Sequence, residues 1–266
     1  MINPIIPCLW FDGKAKAAAA FYGTIFPNSK LLSHNPMVTR WELFGQEFMG
    51  IDGGPMFKPN PSISFFVNCE SKEEAESYWD KLSPEANILM AFGKYPWSEL
   101  YGFLQDQFGI SWQVLVVNPT QNLNKQKIVP SMMFVGDNFG KASEAIKFYT
   151  SVFKHSSELD PAQFLLDGNG FKAIDSPGNH AFTFNEGISF VVNCHTQEQI
   201  DYYWNTFTKD GGKESRCGWC KDKFGVSWQI VPSMLGQLMN DPARRQKVME
   251  AFMKMNKFDI QTLQNA

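Results

Sequence analysis

The apolar residues of the chain follow two different periods, which together predict short strands alternating with amphipathic helices. Extended apolar-rich runs predict strands at residues 5–11, 39–44, 47–51 and 62–68. Apolar residues three and four apart predict a helix at 15–25, and two more helices begin at the capping boxes Ser71-x-x-Glu74 and Thr196-x-x-Gln199. Strand, helix and then antiparallel strands, four times over, predict an α+β fold with curved sheets.

One strand pattern occurs twice in closely similar form, at residues 106–114 and 222–230. Each copy opens with an Asp-x-x-Gly turn and continues as Ser-Trp-Gln between aliphatic residues. Alternation along the strand places Trp112 and Trp228 on the packed face, with Gln113 and Gln229 on the opposite face. We therefore expect buried tryptophans and glutamines that face a cavity.

The repetition extends over almost the whole chain and predicts two tandem domains. Phe21-Tyr22 matches Phe148-Tyr149, and Asn68-Cys69 matches Asn193-Cys194. A polar, proline-containing stretch separates the copies. The predicted organisation is a first domain at 1–118, a linker at 119–126, a second domain at 127–235 and a helical tail at 236–266.

Composition and charge narrow the classes of function. A formal net charge of -3 without a Lys/Arg run gives no electrostatic basis for binding nucleic acid or a membrane surface. No apolar run approaches the roughly 18 residues of a membrane span, and the N-terminus does not resemble a signal peptide. Five scattered cysteines favour reduced thiols, so we expect a cytoplasmic protein. The aromatic content of 15% fits a sheet-rich protein with apolar concavities.

The motifs at residues 6–13, 21–22, 26–29, 53–55, 63–64, 108–113, 217–219 and 222–232 resemble the PhnB-like domain. That domain belongs to the vicinal oxygen chelate superfamily, with glyoxalases, extradiol dioxygenases and bleomycin-resistance proteins. The resemblance covers nearly the whole chain twice, leaving out the tail. It implies tandem glyoxalase-like domains, each of two βαβββ modules forming a curved mixed sheet or half-barrel. It also implies that the two copies pair within one chain as an internal pseudo-dimer, and that the protein is either a monomer or a homodimer. The tail itself predicts a C-terminal helix that begins at the N-cap Asp241-Pro242, with Asp259 capping a last turn.

The resemblance implies a concave face on which metal-dependent relatives carry their ligands. Those ligands are a His on the first strand, a His, Gln or Glu on the fifth and a Glu on the last. The equivalent positions here carry one Gln and hydroxyls in each copy, without His or carboxylate, so we expect no catalytic metal. The predicted ligand-pocket residues are Cys8, Trp10, Ser64, Phe66, Trp97, Ser111 and Gln113 in the first copy and Ser131, Met133, Ser189, Val191, Ser227 and Gln229 in the second.

Two other groups of residues are candidates for chemistry. Cys217 and Cys220 supply half of a zinc site and lack the strand-to-helix setting of a redox dithiol, which favours an incidental pair in a loop. Of the four scattered histidines, His180 lies in a loop that could overhang the second pocket, although a plain loop histidine is the preferred interpretation. No glycine-rich strand-to-helix turn supports binding of a nucleotide, phosphate or methyl donor. A demethylubiquinone methyltransferase name, which some relatives carry, is therefore not supported by the residues.

Three hypotheses for function follow. The first is a protein that binds a small apolar or aromatic molecule without turning it over, as bleomycin-resistance proteins do. The second is a glyoxalase- or dioxygenase-type enzyme with a divalent metal, and the third is a scaffold with vestigial pockets. The missing ligand residues in both copies favour the first and third, so no cofactor and no catalytic residue is assigned.

The two pockets are predicted to differ, with the first the better ligand site. Trp10 and Phe66 stand where the second copy has Met133 and Val191, which gives the first pocket flat aromatic faces. The segment 88–101, present only in the first copy, predicts an aromatic flap more than another strand. The alternative is that its aromatic residues pack between the two domains.

Overall fold

The structure, a computed structural model, describes residues 5–118 and 125–266, so most of the predicted linker lies outside the described residues. These residues divide into two compact units. The larger unit comprises the described residues within 6–188, and the smaller comprises residues 189–266 with Ile5. None of the described helices combines the length and apolarity that a membrane span requires.

The first βαβββ module closely matches its predicted elements. It consists of β1 (Ile5–Phe11), α1 (Ala15–Ile25), β2 (Lys30–His34), β3 (Val38–Leu43) and β4 (Gln46–Asp52). The strands lie in the order β1-β4-β3-β2, with β1 parallel to β4 and the other pairs antiparallel. Only β2 was not predicted, because all five of its residues are exposed and leave no alternating apolar signal.

The second and third modules together build one sheet. The second module consists of β5 (Ile63–Cys69), α2 (Lys72–Leu82), β6 (Asn87–Tyr95), β7 (Ser98–Gln105) and β8 (Ser111–Val116). The third consists of β9 (Ile128–Phe134), α3 (Ala142–Val152), β10 (Ser157–Glu158), β11 (Gln163–Leu166) and β12 (Asn169–Asp175). Over the described residues this sheet has eight strands, in the order β10-β11-β12-β9-β5-β8-β7-β6.

The expectation that each sequence copy folds its own half-barrel is therefore wrong. β5 of the first copy and β9 of the second lie antiparallel at the centre of the sheet, with Ser64 opposite Ser131. Every residue of both strands is buried, so neither is suited to be a sheet edge. The tandem α+β fold and the eight described strands in each copy are as expected, and the domain boundaries themselves stay a prediction.

The fourth module and the tail belong mainly to the smaller unit. The module consists of β13 (Ile188–Cys194), α4 (Gln197–Phe207), β14 (Lys213–Glu214), β15 (Trp219–Lys221) and β16 (Ser227–Pro232), with the strand order β14-β15-β16-β13. The tail forms three short helices in place of one helix and a last turn: α5 (Leu235–Asn240), α6 (Arg245–Phe252) and α7 (Ile260–Asn265). Asp259 caps α7 by accepting the Thr262 N–H at 2.6 Å, as predicted.

The extra segment of the first copy is a hairpin of β6 and β7, so the prediction of a flap without strands is wrong. Aromatic residues on both sides of the hairpin hid its two-residue period. Phe92 stacks on Trp79 of α2 with 4.6 Å between ring centroids. Tyr95 and Tyr101 contact each other at 5.3 Å and pack against a cluster on the other side of the sheet.

One buried carboxylate, Asp106, joins the turn before β8 to helix α1. Its Oδ1 accepts the N–H groups of Phe108 and Ile110, at 2.8 and 3.0 Å. Its Oδ2 accepts the Trp112 indole N–H and the Tyr22 hydroxyl, both at 2.8 Å. Burial raises the pKa of Asp106 above its ordinary value, while these four donors act in the opposite direction. In the smaller unit, Asp222 holds Trp228 in the same way, at 2.8 Å.

Both tryptophans are fully buried on the side of the sheet that faces helices, as predicted. Trp112 contacts Tyr22 of α1 and Phe26, with 5.3 Å between ring centroids in each case. Trp228 stacks on Phe207 of α4 at 4.6 Å. Side-chain alternation then places the adjacent glutamines on the opposite face.

Replacing Trp112 by Ala should lower the free energy of unfolding by about 3–5 kcal/mol, because it opens a large cavity and leaves Asp106 without one donor. Denaturant unfolding followed by circular dichroism measures the change. Trp97→Ala is the matched control: this tryptophan is 52% exposed, and its loss should cost no more than about 0.5 kcal/mol. Equal losses would contradict the anchoring role of Trp112.

Candidate functional site

The candidate site is the inner face of the β5–β12 sheet, defined as the side opposite Trp112. Cross-strand pairing aligns polar side chains in a row on this face. Lys172 of β12 pairs with Ser131 of β9, and Ser131 pairs with Ser64 of β5. The Phe65–Trp112 pairing of the adjacent residues places Ser64 beside Ser111 of β8. The row therefore crosses the centre of the sheet and includes residues of both sequence copies.

Gln113 is held in one orientation by two buried hydrogen bonds. Its Oε1 accepts the Tyr101 hydroxyl at 2.7 Å, and its Nε2 donates to the Ser64 hydroxyl at 2.9 Å. Burial raises the pKa of Tyr101, which keeps the phenol protonated and able to donate. In the smaller unit the Gln229 amide similarly donates to Ser189 at 2.9 Å. A fixed amide flanked by hydroxyls can orient a bound molecule.

Two hydroxyls on the inner face have no hydrogen-bond partner among residues 5–118 and 125–266. They belong to Ser111 and Ser131, both of which are fully buried. Buried polar groups in native proteins are nearly always satisfied, so an unpaired group calls for an explanation. Ser111 and Ser131 have spare capacity to bind a polar group.

Apolar side chains surround this polar row and close over it. The cluster of buried residues consists of Phe66, Tyr101, Phe103, Leu115, Val117, Val129, Met133 and Val135, with Met90, Tyr95, Ile174 and Phe182 packed against it. Trp97, at the tip of the β6–β7 hairpin, stacks on Tyr95 with 5.0 Å between ring centroids. A ligand that enters here has to displace side chains of the hairpin tip or of the loop that carries Phe182.

The donor set of this face does not fit a divalent metal. Its oxygens are neutral hydroxyls and an amide, and Gln113 already uses both ends of its amide in hydrogen bonds. The Lys172 ammonium, 4.1 Å from the centre of the Phe66 ring, would repel a cation. Within the described residues, no group of three His, Cys, Asp or Glu side chains is placed to hold a metal ion.

The structure groups the predicted pocket residues by sheet, whereas the sequence predicted one group for each sequence copy. Grouping them by sequence copy is wrong, because modules of different copies share the β5–β12 sheet. That sheet brings together Ser64, Phe66, Ser111, Gln113, Ser131 and Met133, with Trp97 at its hairpin tip. Cys8 and Trp10 lie on β1, outside this sheet, and Ser189, Val191, Ser227 and Gln229 lie on β13 and β16. Contact of any of these residues with a ligand stays a prediction.

Trp10 was predicted to share a pocket with Phe66, but it is held by its own module. Its indole N–H donates to the Gly54 carbonyl at 2.7 Å, and its ring meets Phe57 edge-on at 5.1 Å. A Cβ on Gly53 would come within 2.0 Å of the Trp10 ring, so this approach requires glycine. The predicted superiority of a first pocket containing Trp10 therefore loses its basis.

Sequence reasoning missed two residues of the site, Tyr101 and Lys172. Tyr101, Phe103 and Gln105 alternate along β7, a period-two signal that the flap interpretation obscured. Lys172 lies between two buried apolar residues, Phe171 and Ala173, which marks it as a strand position on the opposite face. The sequence alone does not show whether a lysine at this position lies on the inner face or in solvent.

The cysteine pair and the histidine candidate show no arrangement for catalysis. Cys217 and Cys220 are free thiols, and burial raises the pKa of both, which disfavours the thiolate needed for redox or metal chemistry. His180 Nε2 lies 2.9 Å from the Ser176 hydroxyl, and its ring contacts Phe182 at 5.0 Å. His180 thus lies in the loop that carries Phe182.

Open depressions occur elsewhere, on the outer side of α1. One of about 220 Å³ is bordered by Lys16, Ala19, Ala20, Gly23, Ser29, Lys30, Leu31 and Trp41. Another of about 360 Å³ lies beside Pro27 and Tyr78. Both are bordered by exposed lysines, whereas the inner face carries buried polar groups within an apolar surround, which is the property of a small-molecule site. We therefore place the candidate site on the inner face.

Paired βαβββ modules that share one mixed sheet are the arrangement of the glyoxalase class of fold, and comparison with solved structures agrees. Glyoxalase I from Zea mays matches 90% of this chain and 95% of its own, with 13% identity and a TM-score of 0.54, a likeness that shows the fold. The sequence model described as 3-demethylubiquinone-9 3-methyltransferase matches residues 3–115 and 155–231, well over half of the chain. The chain belongs to this PhnB-like family.

Two individual relatives match less than half of this chain. The PhnB protein from Bacillus cereus is 35% identical, with 42% of this chain and 98% of that chain covered and a TM-score of 0.40. Protein YjdN from Escherichia coli K12 is 28% identical over 102 residues, which is 37% of this chain and 66% of that protein. The matched part of YjdN is thus just under two thirds of its length.

Tyr101→Phe should lower the free energy of unfolding by about 1–2 kcal/mol, because it leaves Gln113 Oε1 buried without a donor. Denaturant unfolding measures this loss. Tyr95→Phe removes a hydroxyl that donates to the Ala91 carbonyl at an exposed position, so it should change stability little. If the two variants are equally stable, the Tyr101–Gln113–Ser64 network is not formed in solution.

Proposed function

We propose that the chain binds a small, largely apolar organic molecule on the inner face of the β5–β12 sheet, without a catalytic metal. The observation that carries the proposal is the fixed Tyr101–Gln113–Ser64 network inside an apolar cluster, beside hydroxyls that have spare hydrogen-bonding capacity. Placed polar groups within an apolar surround are typical of small-molecule sites.

The residues that cover the inner face lie on a hairpin tip and a loop, which supports entry of a ligand there. Trp97 is 52% exposed although it is a large aromatic residue, and it stacks on Tyr95, which packs against the cluster. Phe182 covers the face from a loop outside the helices and strands. Loops and hairpin tips are where small displacements cost least, so these two elements form the proposed entrance.

Binding is preferred to catalysis because of the chemistry of the side chains near Gln113. A glyoxalase- or dioxygenase-type reaction requires a metal, and hydroxyls and an amide are weak ligands for one. The family name refers to methyl transfer. The sequence has no glycine-rich strand-to-helix turn that would hold a methyl donor, which supports binding without methyl transfer.

Titration with the neutral fluorophore N-phenyl-1-naphthylamine should shift the ¹³C-methyl NMR signals of Met133 and Met90, which border the apolar cluster. Met132 is the matched control, because it precedes Met133 in the sequence, is fully buried and lies on the opposite face. Its signal and that of the exposed Met56 should stay unchanged. Single Met→Leu variants assign the signals.

Shifts at Met132 or Met56 without shifts at Met133 and Met90 would place the probe elsewhere and contradict the proposed site. Shifts at all four methionines would indicate general unfolding or non-specific binding. Either result would leave the inner face without support as a ligand site.

Dialysis against a chelator should leave the dissociation constant for the same probe unchanged, since none of the proposed ligand contacts involves a metal. Fluorescence titration before and after dialysis measures this, together with metal analysis of protein purified without chelator. A stoichiometric divalent metal whose removal abolishes probe binding, or abolishes turnover of a glyoxalase-type substrate, would favour the metal-dependent alternative.

A further inference from the structure

Lys172 is a lysine on the inner face whose charge has no polar partner. Its Nζ lies 4.1 Å from the centre of the Phe66 ring, within the apolar cluster. Among residues 5–118 and 125–266, no hydrogen bond or ion pair to this ammonium is formed. The side chain thus lies over Phe66 at the candidate site, and the carboxylate that acts on its charge, Asp160, forms no ion pair with it.

The surroundings of Lys172 disfavour the charged form of its side chain. Burial lowers the pKa of Lys172, because the charged form loses water without gaining hydrogen bonds. The opposing charge that acts on it comes from Asp160. That carboxylate is occupied by its own loop, since its Oδ1 accepts the N–H groups of Ala162 and Gln163 at 2.8 Å each. A bound anion next to Lys172 would offset the free-energy penalty of taking the ammonium out of water.

A second, independent feature lies beside the lysine. Ser131 pairs directly with Lys172 across the β9–β12 ladder, so both side chains are on the inner face. Ser131 is fully buried, and its hydroxyl has no partner within the described part of the chain. An unpaired donor next to an unpaired cation is the pattern expected of an oxyanion site without its ligand.

The repeat shows that the fold itself does not require this pair. In the first copy, Cys8 on β1 pairs with Met49 on β4 in the same parallel arrangement. Those residues stand where the second copy has Ser131 and Lys172. A thiol and a thioether therefore satisfy the packing of this position in one module, and the amine and hydroxyl of the other need a different explanation.

We propose that Lys172 Nζ and Ser131 Oγ bind an anionic oxygen group, such as a carboxylate or sulfonate, of an aromatic ligand. The Phe66 ring would lie against the ligand's aromatic body, and the Ser111 hydroxyl, unpaired among the described residues, would contact one of its remaining polar atoms. This inference rests on the proposed function, and it adds the class of ligand: an aromatic acid in place of a neutral apolar molecule.

Two probes of one scaffold test the inference. 8-Anilinonaphthalene-1-sulfonate carries a sulfonate, and N-phenyl-1-naphthylamine is its neutral counterpart. Lys172→Met should weaken sulfonate-probe binding by about tenfold, the effect of losing a charge-assisted hydrogen bond, and leave the neutral probe's affinity unchanged. Lys172→Arg should retain most of the affinity. Ser131→Ala should weaken the sulfonate probe selectively, by a smaller factor.

Lys147→Met is the matched control, because it removes the same charge from an exposed position on α3 and should alter neither affinity. Circular dichroism shows whether each variant is folded, and Met49 indicates that methionine is tolerated at this position of the module.

The outcomes separate the inference from the proposed function. Equal weakening of both probes by Lys172→Met would mean that the lysine only packs over Phe66, and no weakening of either would exclude it from the site. Both results overturn the inference while leaving the apolar site. Failure of the neutral probe to bind the wild type, with Lys172-dependent binding of the sulfonate probe, would overturn the apolar site and support the anion site. Binding of neither probe would overturn both proposals.

Discussion

The structure of the larger unit depends on the desolvated carboxylate of Asp106. A buried carboxylate is tolerated only when donors surround it, and here four do so. Two come from the turn that the residue itself begins, one from Trp112 on the strand that follows, and one from Tyr22 in a different module. Because Trp112 is fixed behind the sheet, the next residue, Gln113, has to face the inner side. The orientation of the candidate site is thus set by a residue that is not part of it.

The site is a joint product of the two sequence copies. β5 and β8 contribute Ser64 and Gln113, whereas β9 and β12 contribute Ser131 and Lys172. Duplication normally gives equal sites, but here the equivalent of the Ser131–Lys172 pair is Cys8–Met49. The two copies therefore share the strand pairing at this position but differ in its side-chain chemistry: one pair carries a hydroxyl and an ammonium, and the other carries a thiol and a thioether.

Local pattern predicted what depends on local chemistry. The strand at residues 5–11, the helix at 15–25, the N-cap hydrogen bonds of Ser71 and Thr196 and the burial of Trp112 are confirmed, since period, caps and turn residues determine them. The sequence pattern did not predict the features that depend on which distant strands pair with each other. Nothing in the residues around Ser64 indicates that its cross-strand neighbour is Ser131 and not a residue of its own copy. Lys172 was missed for the same reason, because the ring that its ammonium contacts belongs to Phe66, more than a hundred residues away in the chain.

The central β5–β9 pairing also determines how the chain can be divided. A cut between the copies, at the natural-looking boundary after residue 118, would separate two strands in which every residue is buried. Each fragment would then carry an open sheet edge made of apolar residues, a surface that pairs readily with another chain. The covalent connection between the copies therefore holds β5 and β9 in one molecule, which favours their pairing over pairing of either strand with another chain.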